Sequence, residues 1–182
     1  RAIRSYQAYL RDAPSGERRR QAMRRLADLR LEAAAEADAA NGASEGDVVP
    51  PDVIELYREL LDAGGGDVET SHVRYQLARA LAYNGRHDAA ATVLEAIVDH
   101  GEARPEATPH FAEALFRHAE TRFAAGDYRA AARGYGRVIE LGEGTGFLDH
   151  ALYKQGWSRF RLSRYDASVA PFLRLYDRAT DG

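Results

Sequence analysis

Residues 111–140 read FAEALFRHAETRFAAGDYRAAARGYGRVIE, and residues 149–176 read DHALYKQGWSRFRLSRYDASVAPFLRLY. The two stretches share one pattern. Each has an apolar helical period with a small residue at its middle (Ala119, Gly156), then a turn at Gly126 or Ser163. An aromatic opens the next helix (Tyr128, Tyr165), followed by a small pair (Ala130 and Ala131; Ala167 and Ser168) and a large ring (Tyr135, Phe172). Two helices joined by a short turn cannot bury both apolar faces alone, so such units must stack.

Upstream, residues 74–98 repeat the pattern as RYQLARALAYNGRHDAAATVLEAIV, with Ala78, Gly85, His87, Ala89, Ala90 and Leu94 in the equivalent places. From Ala78 to Ala119 is 41 residues, and from Ala119 to Gly156 is 37. On these residues the chain resembles the tetratricopeptide repeat family, whose unit is about 34 residues. The excess fits in linkers between units. The resemblance implies an all-α, right-handed α-solenoid of helix-turn-helix repeats with about nine helices.

The rest of the chain fits the same register more loosely. Residues 1–14 look like the second helix of a repeat, with Ala2, Ile3, Tyr6 and Leu10 on one stripe and Pro14 as its stop. Ser15 is expected to cap the next helix, whose apolar residues are Ala22, Met23, Leu26, Leu29 and Ala33. Residues 15–66 then form a divergent repeat whose turn is lengthened to the Gly- and Pro-rich loop 41–51. Repeats at 70–104, 109–142 and 147–178 complete a single segment, 1–182. No stretch shows the two-residue alternation of a strand. Both ends break off within the pattern, so the sequence is expected to be a piece of a longer stack.

Composition narrows the function classes. Hydrophobic residues make up 45% and charged residues 29%, ordinary for a soluble globular chain. A net charge of −3 offers no long-range pull on nucleic acid or anionic lipid. The absence of cysteine removes disulfides, thiolate catalysis and cysteine zinc sites. No apolar run is long enough to span a membrane.

Local candidates for chemistry read as structure. The Gly142–Gly146 stretch, GEGTG, lacks the preceding strand and following Lys of a phosphate loop and reads as a linker. His110, Glu113 and His118 lack metal-binding spacing, and the other histidines are scattered, so no metal or cofactor is expected. No Ser stands on a Gly-x-Ser-x-Gly turn, and the carboxylates pair with arginines at helical spacing, as Glu55 with Arg58, so no enzyme is expected. The six arginines of residues 17–30 lack interleaved aromatics and run into acidic residues, which argues against nucleic acid.

The surviving function comes from the resemblance, which implies a concave groove lined by the first helix of each unit. Carried onto this chain, the groove residues are Tyr75, Arg79 and Tyr83, then Phe116, Glu120 and Phe123, then Tyr153, Trp157, Phe160 and Arg161. Rings with a few charges suit the anchoring of a protein or peptide partner. The competing role for these rings is packing between units. The expectation is a non-catalytic interaction scaffold or adaptor, or alternatively a recruiting module of a larger enzyme or secretion machine. The clamp for C-terminal carboxylates is not expected, because the only Asn of these repeats is Asn84, beside a turn. Where Leu77 and Leu81 supply core contacts, the later units place His118 with Arg122 and Gln155 with Arg159. These arginines are expected to snorkel, loosen the stack or meet carboxylates. Residues 153–172 also resemble envelope-associated bacterial repeat proteins, which makes the periplasm the expected compartment, with the cytoplasm as alternative. Apolar terminal helices further suggest self-association.

Overall fold

A computed structural model describes residues 1–41, 48–103 and 110–180. Among them are nine α-helices, one 3-10 turn (Glu143–Thr145) and no strand. The helices are α1 (Ala2–Asp12), α2 (Glu17–Asn41), α3 (Pro51–Asp62), α4 (Asp67–Tyr83), α5 (His87–Ala103), α6 (Phe111–Ala124), α7 (Tyr128–Leu141), α8 (Leu148–Arg161) and α9 (Tyr165–Thr180). The backbone groups into two compact units, residues 1–93 and residues 94–103 with 110–180.

In the first unit α1 packs on α2, α2 on α3 and α3 on α4. The core joins Met23, Ala27 and Leu31 of α2 to Val53, Ile54, Tyr57 and Leu60 of α3 and to Val73, Leu77 and Leu81 of α4. The α2 stripe therefore differs from the expected one: Leu31 is buried and Ala33 is exposed. A 25-residue helix touching α1, α3 and α4 needs more than one apolar stripe. Ser15 also lies outside the helix. Glu17 is its first residue, and the Gly16 carbonyl accepts from Arg20 N at 3.1 Å, which makes Gly16 the cap.

Tyr57 donates its buried hydroxyl to Asp28 Oδ1 at 2.9 Å, and His72 Nε2 stands 3.5 Å from Asp28 Oδ2. Asn84 fixes the chain ahead of α3. Its amide accepts from Val49 N at 2.7 Å and donates to Val49 O at 2.8 Å, holding Val49 fully buried. Much of the 41–51 loop lies outside the described residues.

In the second unit α6 packs on α7, α7 on α8 and α8 on α9. Leu115, Phe116 and Ala119 of α6 meet Ala131, Tyr135 and Val138 of α7 and Ala151 of α8. Each fully buried aliphatic here, such as Leu115, contributes about 1.5–3 kcal/mol over leaving it in water. Close approach depends on small residues. A Cβ on Gly134 would come 2.8 Å from Ala119 Cβ, and one on Gly156 would strike the Phe172 ring at 2.6 Å.

The three turns within hairpins share one geometry. Arg86 N reaches back to Leu81 O, Asp127 N to Arg122 O and Arg164 N to Arg159 O, while Gly85, Gly126 and Ser163 take positive φ. This pairing of a long return bond with a left-handed residue satisfies the last carbonyls of α4, α6 and α8. Ser163, at φ 57°, does so without glycine's freedom.

Candidate functional site

The face expected to receive a partner separates into buried and exposed members. Tyr75, at 6% exposure, and Phe116, at 4%, belong to the interior and offer no surface, which corrects their placement on a binding face. The physical reason is visible at Phe116. Phe147, just ahead of α8, stacks on it with centroids 5.2 Å apart, Tyr135 tilts against it at 5.6 Å and His150 meets it edge-on at 6.3 Å. A large ring at that register is enclosed by the following helix. For these two positions packing is the role.

Arg79 bonds within its own helix, donating to Gln76 Oε1 at 3.0 Å, and Tyr83 is exposed near the end of α4. Both lie in the first unit. In the second unit, Glu120 sits between Arg117 at 3.0 Å and Lys154 at 3.4 Å. Phe123 is half-buried, set edge-on to Tyr128 at 5.2 Å, with Lys154 Nζ 5.1 Å from its centroid. Arg161 places its guanidinium 4.9 Å from the Tyr128 centroid. Such contacts hold two cations against ring faces, each worth about 0.5–1 kcal/mol where exposed.

The remaining members form one continuous surface. Tyr153, Trp157 and Phe160 are all exposed and fall on one side of α8. Trp157 is edge-on to Tyr153 at 6.3 Å and to Phe160 at 5.4 Å. Phe172 of α9 meets Tyr153 at 6.1 Å and Trp157 at 6.3 Å, and Tyr165 meets Phe160 at 5.3 Å. Five rings joined by edge contacts form one contiguous aromatic surface. Tyr165 and Phe172 carry this face together with the three predicted rings. In the sequence they read only as repeat positions, because their distance from Trp157 depends on how α9 folds back on α8.

The polar substitutions at core positions find separate solutions. Arg122 pairs with Glu95 at 3.5 Å. Gln155, nearly buried, donates to Ala132 O at 3.2 Å, and Arg159 donates to Ala167 O at 2.9 Å. Burial and the positive charge of Arg122 hold the His118 imidazole below its ordinary value of 6.5, against the weaker opposite pull of Glu95 and Asp99. Among the described residues no group of three or more His, Cys, Asp or Glu could hold a metal, and no helix is long and apolar enough to cross a membrane.

Antiparallel helical hairpins, turned by one recurring cap and stacked through small residues, define an α-helical repeat protein whose exposed chemistry is a ring face. Residues 113–141, essentially α6 and α7, match the tetratricopeptide repeat family model. The fold is similar to the crystal structure of MamA, at 16% identity and TM-score 0.69, covering 98% of this chain and 87% of that one. It is also similar to the apo form of RapI, at 12% identity and TM-score 0.68, covering 98% and 63%. A third similar structure is a putative kinesin light chain of Podosopora anserina with nearly identical TPR-like repeats, at 15% identity and TM-score 0.67, covering 97% and 82%. No curated protein sequence matches the chain. Residues 113–141 thus carry a tetratricopeptide repeat, and the chain as a whole shares the helical-repeat fold of these structures.

Proposed function

We propose that this protein is a non-catalytic adaptor that captures a peptide or protein segment on the ring face of α8 and α9. The carrying observation is that Tyr153, Trp157 and Phe160 stand exposed beside one another, supported by Phe172 and Tyr165. Exposed aromatics in a contiguous cluster are where alanine scans find binding energy concentrated. Lys154 and Arg161, held against neighbouring rings, set a cationic margin that orients a partner's carboxylates. The placement of these rings on the inner side of the stack, as the groove of this family would have it, belongs to the same proposal. So does the periplasm as its compartment, which rests on the phrase 153–172 alone.

Trp157 is the only tryptophan, so its emission reports this surface directly. Peptides selected from a random displayed library should shift that emission on binding. They should lose at least about tenfold in affinity against Phe160→Ala, as central aromatic anchors do. Selected peptides that leave Trp157 emission unchanged, and bind Phe160→Ala as tightly, would place the partner elsewhere.

A further inference from the structure

The opposite side of α8 carries a different chemistry. Gln155 and Arg159 lie about half a turn away from Tyr153 and Trp157, since each residue advances about 100° around the helix. There they close a cleft of about 590 Å³ with Arg129, Arg133, Arg137 and Glu140 of α7 and Leu162 and Arg164 of the α8–α9 turn. Its floor is small, being Ala132 and Gly136. A Cβ on Gly136 would approach Gln155 Nε2 to 2.9 Å, so the two helices meet closely at the base. Five arginines and one carboxylate, Glu140, line the cleft.

This arrangement departs from the rest of the surface. Elsewhere exposed arginines meet carboxylates, as Arg20 with Glu17, Arg58 with Glu55, Arg117 with Glu120, and Arg178 with both Glu143 and Asp149. Arg129 and Arg133 instead follow one another at four-residue spacing. Like charges at that spacing destabilise a helix by a few tenths of a kcal/mol per pair, and a bound anion removes the penalty. Arg129, Arg133 and Arg164 take part in no ion pair among the described residues.

We infer that this cleft is a second docking site, distinct from the ring face, for a carboxylate-rich protein segment. The guanidinium fork matches carboxylates with two parallel hydrogen bonds, and several forks along one strip read successive acidic side chains of an extended or helical segment. Single-stranded nucleic acid fits less well, because no aromatic lines the cleft on which a base could stack, and the whole chain carries −3. A partner with an acidic stretch next to an apolar anchor could engage both sides of α8, and linking the two contacts would raise its affinity well beyond either alone.

The test uses the full chain, a fluorescein-labelled oligoglutamate as probe, and an oligoglutamine of the same length as control. Fluorescence anisotropy should show saturable binding of oligoglutamate alone, weakening as salt rises. The Arg129→Glu, Arg133→Glu double variant should lose at least about tenfold in affinity, as expected when steering and paired charges are reversed. Circular dichroism checks its fold, and the neutral Arg129→Gln, Arg133→Gln variant, expected to weaken binding less, serves if the reversal unfolds the protein. Trp157→Ala should bind oligoglutamate like the parent, which separates this site from the ring face. Three results would overturn the inference: no binding by the parent, equal binding by the arginine variants, or tighter binding of single-stranded DNA than of oligoglutamate.

Discussion

Tyr135 and Tyr57 are both fully buried, yet their hydroxyls have different surroundings. Tyr57 donates to Asp28, and burial together with that carboxylate pushes its ionisation far above the ordinary range. The Tyr135 hydroxyl meets no hydrogen-bond partner among the described residues, and burial again raises its ionisation. A buried donor left unmade costs about 1–3 kcal/mol, so Tyr135→Phe should raise stability by about 1 kcal/mol, read as a higher urea midpoint. A fall in the midpoint would show that the hydroxyl has a partner. His118 gives a pH dependence whose sign follows from its depressed folded value. Its stabilising contribution is complete above the ordinary 6.5 and is lost as pH falls through 6.5 toward the folded value, because the unfolded chain binds the proton first. His118→Leu, matching Leu77 of the earlier unit, should flatten stability between neutral and mildly acidic pH. Parallel decline of variant and parent would assign the acid sensitivity to other groups.

Helix α9 shows how an element can depend on a residue outside it. Pro171 lies inside the helix and provides no N–H for the carbonyl of Ala167, four residues earlier. That carbonyl is the one to which Arg159 of α8 donates at 2.9 Å. The arginine that stands where α4 buries Leu81 thus completes the hydrogen bonding of the neighbouring helix. Ala167 is exposed and water can take over part of the bond, so Arg159→Leu should cost about 0.5–1.5 kcal/mol. Pro171→Ala, which restores an N–H at that place, should absorb most of the loss. A double-mutant cycle in thermal unfolding measures this coupling, and additive effects would show that the two residues are independent. The repeat register is enough to mark position 159 as anomalous. It cannot pair Arg159 with Ala167, because the link runs between helices and serves a defect in the second one. Of the three expectations for these arginines, Arg122 meets a carboxylate, Glu95, whereas Arg159 meets a backbone oxygen. Asn84 was equally unreadable as an anchor for Val49, since 35 residues separate them.

At the scale of the molecule, periodicity and three repeats in register were enough for the all-α class, because small residues, turn glycines and apolar stripes recur at fixed offsets. Which ring is core and which is surface was not readable. Phe116 and Tyr153 occupy equivalent places in their helices, yet Phe147 and His150 close over Phe116 whereas Tyr153 stays exposed. The same asymmetry leaves apolar surface on α9. Val169, Leu173 and Tyr176 fall at i, i+4 and i+7 and so share one side, with Tyr176 66% exposed. A contiguous apolar stripe in water favours association, and a second copy of the chain is an occupant always present at high concentration. The expected outcome is a weight-average mass that rises with concentration in static light scattering. Leu173→Glu should return it to the monomer value, because burying an unpaired carboxylate in a contact costs more than the contact gains. The substitution sits at an exposed position, so the circular dichroism spectrum should be unchanged. A parent chain that stays monomeric throughout the series would exclude this stripe as a contact between copies, while leaving the ring face of α8 to be judged by Trp157 alone.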